Sequence, residues 1–469
     1  MIVMKFGGTS VENASAMNTV VKIVDREKNR RPVVVLSALA GATNGLIGSA
    51  RLALDGKLEE AHGVLNSLLE RHVTLLENLL ESRSTIQELI FHCRKRFEEL
   101  KNLCQGIAIL GELTNRSLDA IASVGELLSS RILAETLRER NIQAVLVDAR
   151  QFMVTDDRFG TATPLFDRVE AKTRELLVPH LEAGAVVVTQ GFLGATAKGV
   201  TTTLGRGGSD YSAAIVGSVL GAEEIQIWTD VDGILTADPK IVPSARKLKI
   251  VSFQEASELA YFGAKVLHPS TILPAVKKDI PVIVLNSRRP QATGTRIVKD
   301  PGPSNAAVKS IASKTGITVL NIQSTRMLMA YGFLETIFSV FSRYQTSVDL
   351  VSTSEVAVSL TIDSTANLEQ VLAHLEQYAE VTVYGNRAIV CIVGEQMHST
   401  VGIADRIFRA LGDINVQMIS QGASEINMSL VIDEARVNDA VRRLHAEFFE
   451  PVPALEIFEP VDAGEGGFS

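Results

Sequence analysis

A chain of 469 residues exceeds what one ordinary core serves, since single domains seldom pass ~250 to 300 residues, so two or three domains are expected. Hydrophobic residues make up 46% and charged residues 21%, the proportions of a soluble globular protein, and a net charge of −8 argues against a nucleic-acid partner. No apolar run reaches the ~18 residues of a membrane helix, and MIVMKFGGTS at the start has neither the charged head nor the cleavage site of a signal peptide, so a cytoplasmic protein without a membrane partner is expected.

In chain order, the Val-rich runs IVMKF, PVVVLS, QAVLVDA, AVVVTQGF, EIQIWTD and IPVIVLN read as strands. They do not alternate polar with apolar, which predicts an α/β fold whose mostly parallel sheet is covered on both faces. Between the second and third strands lies a long helical stretch in which Leu65, Leu68, Leu69, Val73 and Leu76 share one face, read first as packing and second as a dimer contact. Cys93, Cys104 and Cys391 lack metal-ligand spacing and read as reduced core thiols, and no protein-held metal site is expected.

VKDPGPSN, at residues 298–305, punctuates the chain and marks the predicted domain boundary. Beyond it come ITVLNIQS, a helix from Gly332 to about Tyr344, SVDLVSTS, VAVSLTID, a helix near Leu368 to Tyr378, and VTVYGN. A second pass brings AIVCIVGE, a helix near Val401 to Leu411, VQMISQGAS, INMSLVID, and a helix from Arg436 to about Phe448. This weak repeat of strand, helix, strand, strand, helix, strand predicts two ferredoxin-like modules. The expected division is 1–297, 306–385 and 386–469.

Neither a Walker A sequence nor a GxGxxG occurs. KFGGTSVE follows the first strand instead: Gly7 and Gly8 allow close backbone approach, Thr9 with Glu12 forms a capping-box pattern, and Lys5 adds positive charge where helix-start N–H groups would meet an anion. TTTLGRGGSD, at residues 201–210, repeats the arrangement, with Gly205, Gly207 and Gly208 before a helix expected to be capped by Ser209 or Asp210. Arg206, flanked by glycines, can meet a carboxylate bidentately. Two such corners in one sheet suggest a phosphate passed between two sites. Taken singly, the Gly-Gly turn reads as structure and Asp210 as a helix cap.

KFGGTS, VGELLSS, DRFG, TTTLGRGGSDYSAA, WTDVDGILTADP and FGAKVLHP, in this order, resemble the amino-acid kinase family, in its monofunctional, lysine-sensitive aspartokinase branch, and the resemblance covers essentially the whole chain. It implies a three-layer αβα catalytic domain with a mostly parallel sheet, followed by two ACT regulatory modules and no fused dehydrogenase. The implied reaction moves the γ-phosphate of ATP, with Mg²⁺, to the side-chain carboxylate of L-aspartate. By motif, Lys5 and Asp210 serve catalysis with Gly8, and Gly7, Gly8 and Gly208 offer backbone donors. The substrate falls to Ser37, Thr43, Glu126, Arg206, Gly207, Gly208 and Ser209, with Arg206 on its α-carboxylate and Glu126 on its α-ammonium. The nucleotide falls to Lys5, Gly7, Gly8, Thr229, Asp230, Lys240 and Lys265. Leu235 and Lys240 stand where the family commonly has tyrosine and arginine.

Read without the resemblance, Glu126 is an exposed glutamate early in a helix, Ser37 and Thr43 are turn caps, and Lys265 is a surface lysine. The resemblance also implies an effector pocket of Met327, Phe333, Leu334, Ser347, Val348, Asp349, Ser354 and Glu355, whose alternative is simple core packing. The charge of Asp349 and Glu355 suits the second ammonium of lysine better than neutral threonine. The lysine-sensitive pattern has histidine and serine where Met329 and Ala330 stand, which keeps threonine open as effector. A pocket shared between modules implies a homodimer through the ACT modules, with a tetramer compatible. The rival readings are a kinase of another amino acid, carbamate or UMP, and a non-catalytic amino-acid sensor.

Overall fold

The computed structural model describes residues 1–263, 269–302, 306–324, 331–422, 424–450 and 458–460. The chain divides into two compact units, Met1–Gly233 with Val266–Asp300, and Ile234–Lys265 with Pro301–Ser469.

The first unit opens with β1 (Val3–Phe6), α1 (Ala14–Glu27), β2 (Val33–Leu36) and α2 (Ala42–Leu54). A helical hairpin of α3 (Leu58–Leu79) and α4 (Arg83–Leu110) leads to α5 (Asn115–Ala122), α6 (Val124–Glu139) and β3 (Ala144–Leu146). Then come β4 (Val154–Thr155), α7 (Phe166–Glu182), β5 (Val186–Gln190), β6 (Leu193–Thr196), β7 (Thr201–Thr203), α8 (Gly208–Leu220) and β8 (Ile225–Thr229). The chain passes through β9 (Arg246–Leu248), β10 (Ile250–Ser252) and α9 (Phe253–Tyr261) in the second unit, and returns with α10 (Leu273–Lys277), β11 (Val282–Asn286) and β12 (Thr295–Val298).

Within the first unit the main sheet runs β12-β11-β8-β1-β2-β5-β3, parallel except for β12. Every residue of β2 and β5 is buried, so both faces are covered, as unalternating Val runs require. Phe6 stacks on Trp228 with ring centres 5.8 Å apart. β1 lies between β2 and β8, the strands on which the chain builds outward in opposite directions, and such a switch point opens a crevice at the carboxyl ends of the strands. In the hairpin Leu65 and Leu76 are buried, with Leu68 and Leu69 packed against the same core, so the leucine stripe is used in packing.

In the second unit β13 (Ser310–Gln323), α11 (Phe333–Arg343), β14 (Val351–Thr353), β15 (Ala357–Ile362), α12 (Leu368–Leu375) and β16 (Glu380–Val393) precede α13 (Ile403–Leu411), β17 (Val416–Gln421), β18 (Asn427–Asp433), α14 (Val437–Phe449) and β19 (Phe458–Pro460). The two ferredoxin-like modules share one antiparallel sheet, β14-β15-β13-β16-β18-β17. VTVYGN and AIVCIVGE, read above as separate strands, are one strand, β16, which pairs along β13 with register shifts between Lys314 and Val319. The outer half of β13 joins β15 and the start of β16 in the first module. The second pass of the repeat brings no closing strand among the described residues, and Ser310–Lys314 takes that place by pairing with Ile389–Val393. The first module is therefore nested inside the second.

Residues 234–265, read from sequence as part of the catalytic domain, group with this second unit. Thr236 bonds His445 at 3.0 Å, β9 pairs with β19, and Lys309 and Glu255, 1% and 3% exposed, form an ion pair at 2.8 Å.

Candidate active site

Lys5 leaves the carboxyl half of β1, level with Val35 of β2 and Ile227 of β8. Its ammonium lies 2.7 Å from Asp210 Oδ1, with both side chains only about an eighth exposed, so each keeps its charge partner out of bulk water. Asp210 stands in the first turn of α8, whose N-cap is Gly207 at φ 70°, with no side-chain cap. This corrects the expected cap at Ser209 or Asp210. Because the left-handed glycine turns the chain, both side chains stay available: Ser209 accepts a hydrogen bond from the Ser37 hydroxyl at 3.0 Å, and Asp210 meets Lys5.

The first corner also differs from its sequence reading. Gly8–Val11 is a single 3-10 turn without a side-chain cap, and α1 starts later, at Ala14, capped by Asn13. The Gly7 N–H donates to the Trp228 carbonyl and the Gly208 N–H to Gly205, so the donor role expected of these two is filled within the chain.

Glu126 is 3% exposed in the first turn of α6. One carboxylate oxygen accepts from the Ala38 N–H at 3.2 Å, the Thr43 hydroxyl approaches the carboxyl, and Oε2 has no partner within hydrogen-bond geometry among the described residues. Burial pushes the carboxyl up to about 8, opposed by the Ala38 N–H. The approach depends on Gly125, where a Cβ would fall 2.6 Å from the Ala38 Cβ. The Ser129 hydroxyl donates to the Ser37 carbonyl at 2.8 Å and ties the same helix to the same loop.

These parts line one cavity of about 410 Å³. It gathers Lys5, Gly8, Ser37, Thr43, Glu126, Arg206, Gly207, Gly208, Ser209 and Asp210; Lys5 is paired, and Arg206 is exposed with no ion pair among the described residues. Sequence reasoning missed Phe192, which also lines it and sits at φ 67°, and Arg71, which donates to the carbonyls of Ala40 and Glu12 and so holds the loop opposite Lys5. No local pattern announces either, because both depend on contacts far away in the chain.

The residues assigned to nucleotide are more dispersed. Thr229 ends β8 and Asp230 follows it, with the Thr229 hydroxyl donating to Asp230 at 3.2 Å. Lys240 belongs to the second unit, where its N–H donates to Asp238, and Lys265 lies outside the described residues. Leu235 bridges to Lys247 in that unit.

Of the effector set, Met327 lies outside the described residues, as do Met329 and Ala330. Phe333 and Leu334 open α11, Ser347, Val348 and Asp349 precede β14, and Ser354 and Glu355 form the exposed turn between β14 and β15. Asp349 is already engaged: the Tyr261 hydroxyl donates to it at 2.6 Å and Lys314 pairs with it at 3.0 Å.

A model of the amino acid kinase family matches residues 1–286 and an ACT domain model matches residues 390–448, which sets the class. Aspartokinase 1 of the Arabidopsis thaliana chloroplast is 40% identical over 99% of this chain and 83% of its own length. Escherichia coli aspartokinase III, solved with aspartate and ADP in its R-state, is 38% identical with a TM-score of 0.83, over 96% of this chain and 100% of that one. The same enzyme solved with lysine and aspartate in its T-state gives 0.80, over 96% and 99%. The chain belongs to the aspartokinases, ATP-dependent phosphotransferases with a carboxylate acceptor.

Among the described residues, no helix is long and apolar enough to cross a membrane, and no three His, Cys, Asp or Glu side chains converge as metal ligands.

Proposed function

We propose that this chain transfers the γ-phosphate of ATP to the β-carboxylate of L-aspartate, yielding 4-phospho-L-aspartate and ADP, and that lysine inhibits it through the ACT modules. The observation that carries the reading is one cavity holding a paired lysine and aspartate, a buried carboxylate with an unpartnered oxygen, and an exposed arginine. An α-amino acid offers one ammonium and one α-carboxylate, and Glu126 and Arg206 are their complements.

The acceptor carboxylate, with a pKa near ~3.9, is ionised at neutral pH, so it needs no general base. What opposes the reaction is repulsion between that anion and the triphosphate. Lys5, held by Asp210, places a fixed positive charge where the transferring group passes, and the α8 start adds its dipole. Glu126 and Arg206 fix the backbone end of aspartate, so binding becomes alignment of the β-carboxylate. Mg²⁺ enters with the nucleotide as part of the substrate.

The reading places the chain at the first step of lysine, threonine and methionine synthesis and expects a homodimer through the ACT modules. The test is trapping of the acyl phosphate by hydroxylamine from protein, ATP, Mg²⁺ and L-aspartate. Hydroxamate that falls when lysine is added is the expected result, and a folded Lys5→Ala variant should form it at least ~100-fold more slowly. Absence of hydroxamate from the folded wild-type protein overturns the kinase reading; hydroxamate suppressed by threonine alone overturns the choice of lysine.

A further inference from the structure

Asp119 carries a carboxyl side chain, is 2% exposed and is absent from the cavity lining. It lies on α5, and its own carbonyl accepts from Ser123, the residue joining α5 to α6, so Asp119 and Glu126 stand on one helical elbow. Its carboxylate takes three donors from two other segments. The Gly160 N–H reaches it at 2.9 Å, the Thr203 N–H at 3.0 Å and the Thr203 hydroxyl at 2.7 Å.

Both segments abut the loop that carries Arg206. Thr203 is the last residue of β7, three positions before Arg206. Gly160 belongs to the DRFG turn, and its carbonyl would lie 3.2 Å from a Cβ placed on Gly205. Ala162 closes the arrangement by donating to the Thr203 carbonyl at 2.9 Å. The DRFG motif thus has a place: its glycine N–H and its backbone pack the arginine loop from beneath.

We infer that Asp119 is a positioning residue for aspartate recognition, fastening the Arg206 loop to the elbow that carries Glu126. The inference rests on the proposed roles of those two residues. The α-carboxylate and α-ammonium of an amino acid leave the same carbon, so their recognition groups must keep a fixed separation, while Arg206 is exposed between two positive-φ glycines, Gly205 and Gly207. A buried carboxyl with three donors supplies a constraint across the chain, because hydrogen bonds from Gly160 and Thr203 converge on it from two segments. Burial holds its carboxyl above the usual carboxylate range, and the three hydrogen bonds oppose that rise.

The test compares Asp119→Asn, Thr203→Val and Arg206→Ala, alone and combined, in steady-state kinetics of the full chain. Asn replaces one acceptor oxygen with an NH2 donor facing other donors, so Asp119→Asn should raise KM for aspartate about tenfold or more while KM for ATP and kcat stay within about twofold. Thr203→Val removes one donor and keeps the two backbone ones, so it should shift KM for aspartate the same way by a smaller factor, and it keeps the inference falsifiable should Asp119→Asn not fold. Adding Asp119→Asn to Arg206→Ala should cost aspartate binding nothing more. The inference is overturned if both single variants leave KM for aspartate unchanged, if they weaken ATP equally, or if the Asp119→Asn loss adds in full to that of Arg206→Ala. Should Arg206→Ala itself spare aspartate, the role given to Arg206 fails first and the inference with it.

Discussion

Glu126 shows how burial and recognition combine in one side chain. With its carboxyl near 8, the free site holds a large protonated fraction at neutral pH, and binding an ammonium requires the ionised form. Aspartate binding should therefore release a proton, and KM for aspartate should fall as pH rises from 6 to 8, by up to about tenfold per unit, then level off. In Glu126→Gln the KM should be high and nearly flat over the same range; a wild-type KM that ignores pH between 6 and 8 would contradict this. At this scale the family resemblance grouped Lys5, Arg206 and Asp210, which line one cavity, whereas Asp210 taken singly read as a helix cap. Phe192 was not, since its left-handed backbone is imposed by Ser212 and Gly208 from a different element.

The elements were legible where burial alone decides them and less so where caps do. All six Val-rich runs are strands of the main sheet, because a strand buried on both faces leaves an unmistakable composition. The helix starts shifted: a plausible capping box at Thr9 and Glu12 gave way to a 3-10 turn, and α8 took a glycine as its cap. Glu12 instead pairs with Arg288, Ser209 with Ser37, and Asp210 with Lys5. The long hairpin holds a different kind of surprise in His72, buried against Phe97 with Nδ1 at 2.7 Å from the Leu68 carbonyl. Burial lowers its pKa from 6.5 to about 4, so between those values the unfolded chain binds the proton and the folded hairpin does not. Stability present above pH 6.5 should then be lost on acidification, by up to about 3 kcal/mol near pH 4. Tm measured from pH 7 to 5 should drop less steeply in His72→Gln than in the wild type, and parallel slopes would refute the assignment.

At the scale of the whole molecule, the repeat was visible in the sequence and its nesting was not, because strand order along a sheet leaves no local trace. The turn Ser354–Val356 joins the edge strand β14 to β15 in the first module. Glu355→Ala there should raise the lysine concentration for half-inhibition about tenfold or more without changing uninhibited kcat, as read by titrating lysine into the hydroxamate assay. Undiminished inhibition would remove Glu355 from the effector set. The strand Ser310–Lys314 carries a consequence for synthesis on the ribosome. It emerges before the first module, yet its partner Ile389–Val393 follows some seventy-five residues later, so for that interval a row of backbone donors and acceptors waits without its mate. The inner module can close during the wait, and its closure draws the two ends of the outer one together. A nascent chain halted after residue 385 should accordingly hold a folded first module beside an open edge, a state in which a chaperone or a second nascent chain finds a strand to pair with.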